Sequence, residues 1–294
     1  MAEKKSKKHE DSWSRMNASE VKACEKFNAG YIDFLSRVKT EREAVAYITT
    51  EAFRKGFKEI EQFKKIKPGD KLIIQLKSKV AALVVIGNQP LEKGVNLIAS
   101  HIDSPRLDLK PHPAYEADGI ALFKTHYYGG IKKYQWLAIP LALHGVVVKK
   151  DGRIIEVSIG EKADDPVFTI ADLLPHLAKD QMERKMADAV KGEDLNAILG
   201  SRPLHDQEDE AIKTRVLNIL KDQYEIEEDD FTSAELQFVP AFPARELGLD
   251  RSMIAAYGQD DRVSAYASLQ AILAMEKPER TALCLFADKE EIGS

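Results

Sequence analysis

The chain has 294 residues, enough for one large domain or two of moderate size. Apolar residues make up 44% and charged residues 31%, an ordinary globular balance, and the net charge of -5 argues against a broad basic surface for nucleic acid. No apolar run is long enough to span a bilayer, no secretory h-region follows the lysine-rich start MAEKKSKK, and Cys24 and Cys284 form no disulfide framework, so the expected setting is a reducing cytoplasm with no membrane partner.

The start itself reads as a solvated terminus. Two helices are expected next, Ser19–Arg37 and Glu41–Phe57. Each follows a polar cap with Glu three residues on: Asn17 with Glu20, and Thr40 with Glu43. After the Pro68-Gly69-Asp70 turn come three strand-like runs, Leu72–Leu76, Val80–Gly87 and Val95–His101. The last two are continuously apolar, which predicts strands covered on both faces. Beyond Pro111 the character changes. Two strands meet at the Asp151-Gly152 turn, Pro166–Ile170 reads as another strand, and Lys179–Asp230 reads as a charged, solvated excursion with helical pieces. The apolar helix Val263–Met275 and the strand TALCLFA then return to the first style. This predicts an α/β protein, a mixed sheet sandwiched by helices with a β-rich insertion. The expected division is one α/β unit made of residues 1–109 and 246–294, with residues 110–245 as the insertion.

Three acidic clusters lie where strands end or helices begin. NLIASHIDSP places His101 and Asp103 past a strand. A neutral imidazole is a common zinc ligand, and a carboxylate two residues away can anchor its other nitrogen. The alternative is a satisfied strand-end histidine beside a turn aspartate. YGQDDRVSAY sets Asp260 and Asp261 before a helix, either as an N-cap or as a carboxylate able to bridge two metals. FADKEEIGS sets Glu290 and Glu291 after a strand. Alternation would send them to opposite faces, so sharing one pocket requires a turn there; a solvated acidic loop is the other reading. Ligands in open α/β sheets gather outside the carboxyl ends of strands, so the three clusters together favour one metal site.

HIDSP, YGQDDRVSAY and DKEEIGS, in this order, resemble the aspartyl aminopeptidases, cytosolic dinuclear zinc enzymes. Tyr127–Gly130 (YYGG) and Leu173–Ala178 (LLPHLA) extend the resemblance. It implies a zinc-peptidase-like fold whose insertion forms a dimer, with dimers assembled into a dodecameric shell. It implies hydrolysis of the N-terminal residue of peptides, acidic residues preferred, through a hydroxide on a dinuclear metal centre. His101, Asp260 and Glu291 would be metal ligands, with Asp260 bridging across a cis Asp260–Asp261 bond. Glu290 would be the general base, Asp103 would orient His101, and His176 would contact substrate from a neighbouring subunit. Two Zn2+ per subunit are implied; the donor types also suit Mn2+ and Co2+. Family members continue further and supply another carboxylate and histidine, so the chain is expected to be the front part of a longer protein. Three other readings share some of these residues: another hydrolase on the same scaffold, such as a deacylase; a non-catalytic oligomeric scaffold; and a calcium module, which the absence of a DxDxDG loop disfavours.

Overall fold

The computed structural model describes residues 11–292; the lysine-rich start, His9 and the final Gly-Ser lie outside the described residues. The chain opens with α1 (Ser12–Arg15), α2 (Ala18–Arg37) and α3 (Glu41–Arg54). The longer two begin at the expected capping boxes, Asn17 with Glu20 and Thr40 with Glu43. Strands β1 (Lys58–Glu59), β2 (Lys71–Leu76), β3 (Val80–Val85) and β4 (Asn96–His101) follow. Next come β5 (Arg106–Ala117), β6 (Ile120–Tyr128), β7 (Leu141–Val148), β8 (Ile154–Ile159), α4 (Lys179–Met182), β9 (Ala197–Gly200), α5 (Ala211–Tyr224), β10 (Ala234–Pro240), β11 (Arg245–Leu247) and β12 (Met253–Ala255). The chain closes with α6 (Gln259–Leu273) and β13 (Ala282–Ala287).

Two large sheets result. One is mixed, in the order β1-β2-β3-β13-β4; the other is antiparallel, in the order β8-β7-β10-β5-β6-β9. In the mixed sheet, Ile73, Leu83, Val85, Cys284 and Phe286 share a face and pack on Phe34, Ile48, Leu269 and Ile272 of α2, α3 and α6. Period-two alternation on the strands and a 3.6-residue stripe on the helices place these side chains together. The antiparallel sheet has its own core, built from Leu107, Phe123, Leu143, Leu236 and Phe238 with Leu220 of α5. The expected boundary after residue 109 falls within β5, and the one after 245 within β11.

Three local expectations differ from the structure. Val95–His101 is not covered on both faces among the described residues: Leu97 and Ile98 are exposed, and β13 is the one strand paired with β4 there. Lys179–Asp230 is not simply a solvated excursion. Its helical pieces include α5, as expected, but it also contributes β9, and Leu195, Ala197, Leu220 and Ile226 are buried in the second core, because its apolar residues gather on one face beneath the charges. Pro166–Ile170 makes only isolated bridges, Phe168 to Leu141 and Thr169 to Ile198.

Candidate metal centre

Strand pairing assembles the site. β4 and β13 run parallel with His101 opposite Ala287, so both chains leave the sheet at the same end. Past β4 lies Asp103, and past β13 lie Asp288 to Glu291. Lys289 adopts φ 76°, a left-handed conformation that breaks the strand and turns the two glutamates back toward the sheet end. The buried Asp103 carboxylate ties the pieces together. Its Oδ2 accepts the Tyr128 hydroxyl at 2.5 Å and the Glu291 amide at 3.1 Å, and its Oδ1 accepts the Glu290 amide at 3.4 Å. Burial opposes its charge, yet the bonds from Tyr128, Glu291 and Glu290 outweigh burial and hold its pKa below the usual carboxylate range.

Asp260 arrives from the start of α6. Gly258 takes φ 74°, the Asp260–Asp261 peptide is cis as the motif resemblance implied, and regular helix begins after Asp261. Ser104 Oγ donates to the Asp260 carbonyl at 3.2 Å. Fully buried Arg262 secures both segments by donating to the carbonyls of Ile102, Val38 and Lys39.

His101 Nδ1 bonds the Asp103 carbonyl at 3.0 Å, which turns Nε2 outward. Nε2 stands 3.4 Å from Asp260 Oδ1 and 3.7 Å from Glu290 Oε2. Two donors on a tetrahedral zinc, each about 2.0–2.2 Å from it, lie roughly 3.3–3.6 Å apart, so His101 and Asp260 have ligand spacing. Among the described residues, no three His, Cys, Asp or Glu side chains are arranged to hold a metal ion. The donor chemistry, the outward Nε2 and the anchored Nδ1 nonetheless fit zinc. The electrostatics agree. Burial lowers the pKa of His101, but Asp103, Glu290 and Asp261 outweigh it and raise it overall. Glu291 is raised, first by burial and then by Asp260, Asp103 and Glu290. Surroundings that attract a proton to an imidazole also attract a divalent cation.

Asp260 and Glu291 line a cleft of about 490 Å³ together with Lys132, Gln135, Trp136 and Tyr257. Gly129 lies directly behind Glu291: a Cβ there would sit 3.2 Å from Glu291 Oε2. His176 is not brought to this cleft; it stands exposed in a turn of the insertion. Two residues that hold the site together, Tyr128 and Arg262, were not singled out as site residues from the sequence. Their partners lie 25 and 160 positions away for the bonds to Asp103 and Ile102, so no local spacing announces them.

A family model described as aminopeptidase I zinc metalloprotease (M18) matches residues 34–294. The chain belongs to the M18 aminopeptidase family. The probable M18 family aminopeptidase 1 of Thermotoga maritima is 49% identical over 287 residues, covering 96% of this chain and 61% of that protein. A crystal structure of the M18 aminopeptidase from the same organism superposes with a TM-score of 0.91 at 48% identity, covering 97% of this chain and 62% of that one. The mApe1 dodecamer of S. cerevisiae, at 21% identity and a TM-score of 0.70, covers 92% of this chain and 62% of that one and shares the fold alone. The chain spans about three-fifths of the length of the curated M18 relatives named here.

Proposed function

We propose that the protein is a zinc-dependent aminopeptidase that removes the N-terminal residue of peptides. The observation that carries this is the meeting of His101 Nε2 with Asp260 Oδ1 and Glu290 Oε2 at the joined ends of two parallel strands, in a chain of the M18 family. His101, Asp260 and Glu291 would hold the metal. Two zinc ions per subunit are proposed, and Asp260 would serve both; its side chain is 90% exposed and lines the cleft. The same donors accept Mn2+ or Co2+.

Zinc bound there would supply a Lewis acid for the scissile carbonyl and would bring the pKa of a water down to about 7. Glu290 holds and moves the proton: its carboxylate takes one from the attacking water and returns it to the leaving amine. Its carboxylate is 65% exposed and faces the same opening as His101 Nε2. Asp103 keeps the His101 ring and both glutamate amides in place.

Preference for acidic N-terminal residues is supported by Lys132. It lines the cleft beside Asp260 and Glu291, and its side-chain ammonium has no ion-pair or hydrogen-bond partner among the described residues. Self-association through the insertion, residues 110–245, into a dimer and a dodecamer is supported by the exposed apolar side chains Leu173, Leu174, Leu177, Met182 and Met186 around His176. In such an assembly His176 serves a neighbouring subunit's cleft. Residues 1–109 and 246–294 then form the catalytic unit. A cytoplasmic setting accords with two unpaired cysteines. No helix among the described residues is long and apolar enough to cross a membrane.

Glu290→Gln in the native protein tests the catalytic assignment. Zinc content should stay at the wild-type level while kcat falls by about 10²–10⁴-fold. Near-normal turnover in that variant would refute the role given to Glu290.

A further inference from the structure

We infer that Tyr128 is a positioning residue for this centre: its hydroxyl sets the orientation of the Asp103 carboxylate and, through it, the mutual placement of His101, Glu290 and Glu291. The inference rests on the aminopeptidase reading and adds a residue to it.

Asp103 has four neighbours, and three of them belong to the metal-binding ends. These are the Glu290 amide, the Glu291 amide and His101 Nδ1, the last 3.5 Å from Oδ1. The fourth, the Tyr128 hydroxyl, is the only one from the antiparallel sheet, and at 2.5 Å it is also the closest. A carboxylate with donors on both oxygens has one favoured rotation about its Cβ–Cγ bond. Without the hydroxyl, the group loses its shortest bond and keeps only the Glu291 amide on Oδ2 at 3.1 Å and the Glu290 amide on Oδ1 at 3.4 Å, so its plane is held less tightly. His101 and both glutamates would shift together, since one carboxylate serves all three.

The hydroxyl is itself held firmly. Tyr128 is the last residue of β6 and pairs with Arg106 of β5. The Arg106 guanidinium lies 3.8 Å from the ring centroid, and Lys289 Nζ lies 4.9 Å from it. Arg106 is fixed in turn by Asp108 at 2.7 Å and Glu41 at 3.3 Å. The ring therefore packs through its faces and acts on the centre through its oxygen, two contributions that substitution can separate.

Tyr128→Phe keeps the ring and removes only the oxygen. The readouts, on the native protein, are amide hydrogen exchange of Glu290 and Glu291 in the metal-free form, zinc affinity by chelator competition, and kcat and KM. Expected for Y128F are exchange at least ~10-fold faster at both amides, zinc binding about 10–100-fold weaker, kcat lowered by a similar factor, and KM within about twofold. Tyr127→Phe, one residue earlier, should change none of these. If Y128F matches wild type in amide exchange and zinc affinity, the residue only packs and the inference is overturned. Should Y128F not fold, the Tyr128 hydroxyl proton in metal-free wild-type protein decides instead: a hydroxyl protected from solvent exchange supports the inference, and one that exchanges as freely as that of exposed Tyr134 overturns it. Wild-type protein that binds no zinc would remove the aminopeptidase reading, while exchange in the metal-free form would still decide the role of Tyr128.

Discussion

Arg262 is fully buried with no carboxylate in salt-bridge range among the described residues; its guanidinium donates to three backbone carbonyls, those of Ile102, Val38 and Lys39. Burial lowers its pKa, and the three carbonyl bonds hold the guanidinium in place. Ile102 sits between His101 and Asp103, which makes Arg262 the support beneath both. Gly258 is part of the same fit, since a Cβ there would come within 2.3 Å of the guanidinium. Arg262→Met keeps much of the volume and leaves three carbonyls unpaired. A loss of about 2–4 kcal/mol is expected, read as a lowered denaturant midpoint. An unchanged midpoint would show that water or a shifted neighbour replaces the bonds. Lys132 makes a second prediction at this scale. Lys132→Ala should lower kcat/KM about tenfold for acidic N-terminal residues and leave Leu or Ala substrates within about twofold. Equal loss on all substrates would remove its selective role.

Parallel pairing of β4 and β13 is what makes one site out of residues nearly two hundred positions apart. The motif ends were legible in the sequence because apolar runs stop abruptly in His101–Asp103 and in Asp288–Glu291. The capping boxes were legible for a similar reason, as both depend on residues three apart. Thr40→Ala should cost about 1 kcal/mol by removing the side-chain acceptor for the Glu43 amide, measured in the same denaturant titration. A loss near zero would mean that Glu43, bonded to the amides of Lys39 and Thr40, holds the helix start alone. Less legible was how far each strand is covered among the described residues. The apolar run Val95–His101 reads as a strand covered on both faces, and composition does not reveal what packs on it. The 12-residue β5, interrupted by Pro111 and Pro113, was likewise hidden; its register shifts between Leu109 and Ala114, where the prolines sit.

The two cores meet at a buried polar joint. His144 of β7 bonds Glu43 of α3 at 2.8 Å through Nδ1 and Glu161 at 3.0 Å through Nε2. Lys39 lies 3.9 Å from Glu161 and donates to the Phe242 carbonyl. Burial lowers the pKa of His144, but the two carboxylates outweigh it and push it up to about 9. The folded value is above the unfolded ~6.5, so the stabilisation is complete below about pH 6.5 and is lost as pH rises through about 9. It is on the order of 3 kcal/mol. Tm should therefore fall between pH 7 and 9.5, and His144→Gln should flatten that fall; an identical slope in the variant would contradict the assignment. Sequence reading could not supply this joint. The partners of His144 lie 101 and 17 positions away, and residues 179–230 read as solvated because their charges outnumber the apolar residues that face the second core.

The central claim is that His101, Asp260 and Glu291, with Glu290 beside them, surround a catalytic metal. Anomalous diffraction at the zinc edge from zinc-loaded crystals of the native protein tests it most directly. The account predicts a peak about 2.0–2.2 Å from His101 Nε2 and from an Asp260 carboxylate oxygen. A zinc peak elsewhere, with His101 and Asp260 bonded only to protein or water, would contradict it.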